Sequence, residues 1–378
     1  MSTPRAAPPT ESPLAETLRA LIRAAGPISV ARYMALALGH PEHGYYMRRD
    51  PFGAGGDFTT APEIGQVFGE LLGLCCAQWW LDAGRPERLQ LIELGPGRGT
   101  LMVDALRAVG AVPGCREALD VRLVETSPAL RARQRGRLAG DAVSWHEGFE
   151  DVPPGPPPVV LANEFFDALP VHQLVRRGDG SWVERRVAFD GDGRLGFVLD
   201  AEPSPLARDL PPGCDAAPPG AVTEVGPARE ALAAAIAARV AAHNGLALIL
   251  DFGDAFVGPT GDTLQAVRHH RPWPVLEAPG EADLTAHVDF RALAGAAGRA
   301  GADVHGPVAQ GRFLTALGIG ARTAALLRRA TPEQAERLRS AERRLTGPGE
   351  MGELFRVLAL TPPGAPPPPG FPPEAPPA

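Results

Sequence analysis

The chain has 378 residues, a formal net charge of −7 and 21% charged side chains, with 44% hydrophobic residues beside 44 Gly and 42 Pro. Its length suits roughly two domains, or one large α/β domain carrying insertions, and either can bury a real core. No Lys occurs anywhere, which excludes a P-loop lysine, a Schiff-base lysine and a lysine general base, and the acidic balance argues against a dedicated nucleic-acid binder.

Residues 1–13 carry Pro and Glu but no apolar run, so they read as a disordered leader and not as a signal or transit peptide. From Leu14 to Leu38, apolar residues recur with helical spacing at Leu14, Leu18, Leu21 and Ile22, then at Val30, Met34 and Leu38, with a break at Gly26-Pro27. A helical N-terminal region over 14–84 is therefore expected. Within it, His40 to Pro62 has many Gly, Pro and aromatic residues and no period, and a loop that long is more often functional than idle. An amphipathic helix is expected from Glu63 to Ala83.

Short apolar strands then alternate with helices. Strands are expected at Leu89 to Leu94, Val121 to Glu125, Val143 to Trp145, Val159 to Ala162 and Leu246 to Asp251, and helices at Thr100 to Val109, Pro128 to Leu138 and Ala228 to His243. Such alternation predicts a doubly wound parallel sheet within a domain spanning 85–361. Residues 170–226 read as an inserted hairpin or small sheet, 308–346 as a helical segment, and Leu354 to Leu360 as a closing strand. Residues 362–378 read as an extended, disordered Pro-rich tail. Arg131, Arg133, Arg135 and Arg137 look like a solvated helix face. Cys75, Cys76, Cys115 and Cys214 look like reduced thiols, no stretch is long and apolar enough for membrane insertion, and the cytoplasm is the expected compartment.

The strongest local signal is L-I-E-L-G-P-G-R-G-T, residues 91–100. A strand carrying Glu93 runs into Gly95, Gly97 and Gly99 at alternate positions, where the backbone must turn sharply and let a ligand approach the peptide plane. Dinucleotide folds use G-x-G-x-x-G, whereas here the third glycine arrives one residue early and an acid stands two residues before the first. This turn resembles that of class I methyltransferases that use S-adenosylmethionine, a cofactor with no phosphate to anchor. Glu125, ending the next strand, can accept from both ribose hydroxyls. Glu147, in W-H-E-G after the third strand, falls where this fold often contacts adenine.

A second group, L-A-N-E-F-F-D-A-L-P-V over 161–171, follows the fourth strand and should face the same crevice. Glu164 and Asp167 place two carboxylates three residues apart, Phe165 and Phe166 can wall off water, and Asn163 can donate or accept near the transferring group. Two carboxylates could grip a guanidinium. A helix start capped by Asn163 is the alternative. Asp251 at the end of the fifth strand is as suited to bracing the sheet edge as to touching substrate. His269, His270, Asp283, His287 and Asp289 fit no closed zinc site, so no metal is expected, and Asp289 reads as an N-cap.

The blocks H-G-Y-Y (43–46), G-G-D-F-T-T-A-P-E-I-G-Q-V-F-G-E (55–70), E-L-G-P-G-R-G-T-L (93–101), N-E-F-F-D-A-L-P-V (163–171), L-I-L-D-F-G (248–253), D-L-T-A-H-V-D-F (283–290) and M-G-E-L-F-R-V-L (351–358) together resemble the MidA family of methyltransferases. The resemblance implies a class I methyltransferase fold, Rossmann-like, with added helical elements and S-adenosylmethionine as cofactor. For the family's mitochondrial branch, which assembles respiratory complex I, it implies protein arginine as acceptor. Carried onto this sequence, Gly95, Gly97 and Glu125 would face the cofactor, and the reading of the residues themselves adds Glu93, Gly99, Thr59, Thr60, Pro62 and Glu147 to that side. Asp57, Phe58, Glu63 and Phe165 would face the substrate, and Glu164, Asp167 and Asn163 would be catalytic. In the residues themselves, Asp57 and the two Thr offer hydrogen bonds, Phe58 offers an apolar lid, and Glu63 could instead cap the following helix. Two readings stay open beside protein arginine: another nitrogen acceptor, and a non-catalytic assembly chaperone that keeps the cofactor pocket. A protein partner is expected, with no nucleic acid; the oligomeric state is not legible.

Overall fold

The computed structural model describes residues 12–48, 56–57 and 59–371, in two compact units. One comprises the described residues within 1–58, 168–226 and 257–286; the other comprises those within 59–167, 227–256 and 287–378.

The second unit is built on seven main strands: β1 Leu89–Leu94, β2 Leu119–Val124, β3 Val143–His146, β4 Pro158–Asn163, β5 Leu246–Asp254, β6 Asp303–Ala309 and β7 Phe355–Thr361. Their order is β6-β7-β5-β4-β1-β2-β3, and the two-residue strand Val288–Asp289 adds to the end of β5. Strands β1 to β5 pair in parallel, whereas β7 runs antiparallel to both β5 and β6. Both faces of a parallel sheet are covered, which is why β4 as far as Ala162 and the first part of β5 are unbroken apolar runs with no exposed residue. Before β1 comes α1 Gln66–Asp82, and between later strands lie α2 Thr100–Val109, α3 Pro128–Arg137, α4 Pro227–Ala242 and α5 Phe290–Arg299. Gly69 and Gly73 let α1 press against α2: a Cβ at either would stand 2.7 Å from Asp104 Cβ or 2.5 Å from Ala105 O. Strand order reverses between β1 and β4, and a crevice opens outside their carboxyl ends at such a reversal.

Three expectations change here. The helix expected from Glu63 starts instead at Gln66, because Gly65 is fully extended and separates α1 from the short turn Ala61–Ile64. Strand β6 falls partly within the segment read as helical; its Gly306-Pro307 pair and a register shift between His305 and Val308 hide the alternation. The Pro-rich tail is packed as far as Phe371, whose ring sits 5.4 Å from that of Phe313 while Gly364 N donates to Asp303 Oδ2 at 2.6 Å.

In the first unit, helices Pro13–Ala25 and Val30–Gly39 pack with an antiparallel sheet ordered Ile28–Ser29, Trp182–Phe189, His172–Arg176, Val222–Val225, with Leu195–Pro203 paired to Trp182–Phe189. A three-stranded sheet of Arg271–Trp273, Gln265–Arg268 and Asp283–Thr285 completes it. Leu14, Leu18, Tyr33, Met34, Val187 and Leu284 share one core, so the 170–226 insertion, the N-terminal helices and 257–286 fold together. Among the described residues no helix is long and apolar enough to cross a membrane.

Candidate active site

Parallel register lines up the carboxyl ends of the strands. Leu94 pairs with Val124 on one side and Ala162 on the other, so Gly95 stands between Glu125 and Asn163. Val124 pairs with His146, which places Glu125 beside Glu147, and Leu250 pairs with Asn163, which places Asp251 beside Glu164. One row of the sheet edge thus carries Glu147, Glu125, Gly95, Asn163 and the Glu164 turn.

The turn after β1 takes positive φ at all three glycines, +60° at Gly95, +52° at Gly97 and +78° at Gly99. Gly99 caps α2 in the left-handed conformation. At Gly95 a side chain is barred twice, because a Cβ would also stand 2.6 Å from Phe165 Cδ2. Behind the turn, Glu93 is buried in β1 and its Oε2 has no hydrogen-bond partner among the described residues. Burial, and then the nearby Glu125, push its carboxyl up to about 8. A buried acceptor left unpaired costs about 1–3 kcal/mol, so it is an opening for a cationic or N–H donor.

Glu125 is held from two sides. Its Oε1 accepts from Ser127 N at 2.8 Å and its Oε2 from Gln134 Nε2 at 3.2 Å. Burial raises its carboxyl, opposed by these donors.

On the other side of Gly95, Glu164 adopts φ +49°, a left-handed conformation rare for a side chain of its size. Its Oε1 accepts from Ala61 N at 2.7 Å and Asn163 Nδ2 at 3.2 Å, while Oε2 has no such bond among the described residues. Burial pushes its carboxyl up to about 7; the Ala61 N–H opposes this and Asp167 adds to it. Asn163 Oδ1 is buried without a partner among the described residues. The turn is shaped by Asp251, fully buried, whose Oδ2 accepts from Phe165 N, Phe166 N and Asp167 N at 3.1, 2.8 and 3.3 Å and whose Oδ1 accepts from Phe252 N at 2.8 Å. Burial and Asp167 raise its carboxyl, yet four N–H donors are the surroundings of a carboxylate. Buried Arg229 fixes the far end of the turn by donating to Asp167 O and His287 O, each at 2.7 Å.

The family described as "putative S-adenosyl-L-methionine-dependent methyltransferase" matches residues 71–308. The chain belongs to the MidA-type S-adenosylmethionine-dependent methyltransferases. It is similar to the mitochondrial protein arginine methyltransferase NDUFAF7 homolog of Drosophila melanogaster, 38% identical with 95% of this chain and 90% of that one covered. To the human mitochondrial protein arginine methyltransferase NDUFAF7 it is 36% identical, covering 94% and 85%. Among solved structures it resembles a "likely methyl transferase" from Burkholderia thailandensis bound to S-adenosyl-homocysteine, with a TM-score of 0.80, 32% identity, and coverage of 94% and 95%.

This methyltransferase presents the groups that S-adenosylmethionine asks for. An ammonium and a sulfonium suit the unpaired, buried Glu93; a ribose diol suits the two oxygens of Glu125; close approach suits the Cβ-free turn at Gly95.

The remaining expected residues fall in different places. Thr60 and Pro62 are buried and Thr59 half-buried, all beside the Ala61–Ile64 turn whose first N–H holds Glu164. Glu63 does not cap the following helix: its carboxylate meets Thr100 Oγ1 and, at 3.5 Å, Arg98, so it braces the glycine turn of the methyltransferase. Glu147 is exposed at the end of β3. Asp57 belongs to the first unit, where its oxygens accept from Tyr45 Oη and His269 N, each at 2.7 Å, and its carbonyl accepts from His270 N. That pins the His269-His270 turn, whose two residues have φ +53° and +58°. Phe58 lies outside the described residues. Asp289 caps α5 through Arg291 N and Ala292 N, as read from the sequence. On α3 the expected solvated face holds for Arg133, Arg135 and Arg137, but Arg131 is tucked in, donating to Glu125 O at 2.6 Å and His146 O at 2.9 Å. Gln134 and Arg229 were not legible as site residues, since a single Gln or Arg on an Arg-rich or Ala-rich helix has no spacing that marks it.

Proposed function

We propose that this methyltransferase modifies a guanidinium nitrogen of an arginine in a protein, in the cytoplasm, with a respiratory complex I subunit or a protein of that kind as acceptor. The observation that carries the reading is the Glu164 carboxylate: one oxygen is anchored on Ala61 N and Asn163 Nδ2, and the other is left to receive a donor. The protein arginine methyltransferases to which the chain is similar, and the family resemblance, support it.

When bound, the cofactor supplies a methyl group carried on a positively charged sulfur. Glu164 Oε2 accepts an N–H of the guanidinium nitrogen that is to take the methyl group and so aims that nitrogen's lone-pair face at the crevice. Asp167, three residues on, adds negative charge that favours a cationic acceptor over a neutral one. Phe165, lying over Gly95, and the fully buried Phe166 exclude water from this side. Arginine stays protonated in water, so its nitrogen must shed a proton, and Glu164 receives it at Oε2. A carboxyl titrating near 7 is matched to that task, being ionised enough to accept and basic enough to hold the proton.

The experiment is methyl transfer from isotopically labelled S-adenosylmethionine into lysate, followed by hydrolysis. Label in methylarginine of one polypeptide is expected. Label in nucleic acid, or in another amino acid, overturns the reading, as does the absence of label.

A further inference from the structure

On the inward face of α3, whose Arg133, Arg135 and Arg137 are exposed, lies Gln134, which is fully buried. A side-chain amide has two N–H donors and a carbonyl acceptor. Each has a different partner here: Nε2 donates to Gly97 O at 2.7 Å and to Glu125 Oε2 at 3.2 Å, and Oε1 accepts from Trp145 Nε1 at 2.8 Å. The partners come from the glycine turn after β1, the end of β2 and strand β3. Rotating the amide by a half-turn would set its oxygen against a carbonyl and a carboxylate and its NH2 against an indole N–H, so only one orientation satisfies the set.

We propose that Gln134 is a positioning residue for the cofactor: its single amide aims the Glu125 carboxylate and locks that aim to the glycine turn and to β3 before the ligand arrives. With Oε1 on Ser127 N and Oε2 on Gln134, the carboxylate cannot swivel, and each oxygen keeps capacity for a ribose hydroxyl. Arg131, one turn earlier on α3, does the same for the main chain, holding the carbonyls of Glu125 and His146. Packing alone does not require an amide here, because a buried apolar side chain of equal length would fill the volume and strand three polar partners.

The proposal concerns the cofactor and is independent of which acceptor is methylated. Its test is calorimetric titration of the full-length protein with S-adenosylhomocysteine. Gln134→Met, which keeps the volume and removes the amide, is expected to raise the dissociation constant about tenfold, the scale of one hydrogen bond to a charged group. In a Glu125→Ala background the same change is expected to cost less than about twofold, because there is no carboxylate left to aim. A merely structural glutamine would cost the same in both backgrounds, and that result overturns the proposal, as does unchanged affinity in the first. Should Gln134→Met not fold, Trp145→Phe removes only the donor that fixes the amide's orientation. About a threefold loss that disappears with Glu125→Ala supports the proposal; an equal loss with and without Glu125, or none, overturns it.

Discussion

The two acidic sides of the sheet edge each use one main-chain N–H and one side-chain amide, but at Glu125 they engage both oxygens and at Glu164 only one. At Glu125 the carboxylate is aimed by another side chain, Gln134, and by one main-chain N–H. At Glu164 the whole turn is shaped by main-chain N–H groups gathered on Asp251, and the carboxylate itself is anchored through one oxygen on Ala61 N and Asn163 Nδ2. The first arrangement fixes one group against a ligand of constant shape. The second fixes a backbone conformation, including the left-handed Glu164, and leaves an oxygen open toward an acceptor. Changes on the Glu164 side should therefore act on turnover, and changes on the Glu125 side on cofactor affinity.

The largest effect expected is from Glu164→Gln, which keeps the anchor on Ala61 but cannot take a proton. Turnover should fall by about 10²–10⁴, with S-adenosylhomocysteine affinity within about twofold of wild type; equal losses in both would erase the distinction between the sides. In the wild-type enzyme, turnover at saturating cofactor should rise with pH through about 7, as the Glu164 carboxyl ionises, and this rise should vanish in the variant.

Next comes Gly95→Ala, which meets both a positive φ and the Phe165 ring. Because Phe165 belongs to the acceptor turn, this change should breach the separation, raising the cofactor dissociation constant about tenfold or more and lowering turnover as well. Measuring the two together shows how far the sides are coupled through that ring.

Glu93→Gln should weaken S-adenosylhomocysteine binding by about tenfold while altering stability with the opposite sign. The folded-state carboxyl is raised to about 8, so in the wild type the contribution from the neutral form is present below the unfolded value and is lost as pH rises through about 8. The variant escapes that loss, and its melting temperature relative to wild type should climb by about 5 °C between pH 6 and pH 9. A flat difference would place the ionised group in water.

The smallest effect on function is expected from Phe371→Ala, remote from the row of strand ends. Loss of its packing on Phe313 should cost about 3 kcal/mol in urea unfolding, with cofactor affinity unchanged.

Much of this was legible in the sequence because parallel strands write themselves as apolar runs and tight turns as glycines. Thr100–Val109 and Leu89–Leu94 appear with the expected bounds, and the row Glu125, Gly95, Asn163, Glu164 follows once the strands are ordered. What was hidden depends on distance in space. Asp251 becomes the organiser of the 163–167 turn only because β5 pairs with β4, and Gln134 acquires its role only when α3 folds back across three strand ends. The tail misled for a compositional reason: proline-rich sequence has little to bury on its own, but Phe371 finds a core made elsewhere.

The position of β7 between β5 and β6 sets a condition on how the molecule is made. Both neighbours emerge from the ribosome before the strand that must slot between them, so until Phe355–Thr361 arrives the growing chain carries a bare edge of Ala247, Leu248, Ile249 and Leu250, residues that are later sealed from water. An exposed strand edge is a template for pairing with the wrong chain. A premature stop codon before Phe355 would therefore yield not a weaker enzyme but an adhesive one, with every residue of the crevice already present.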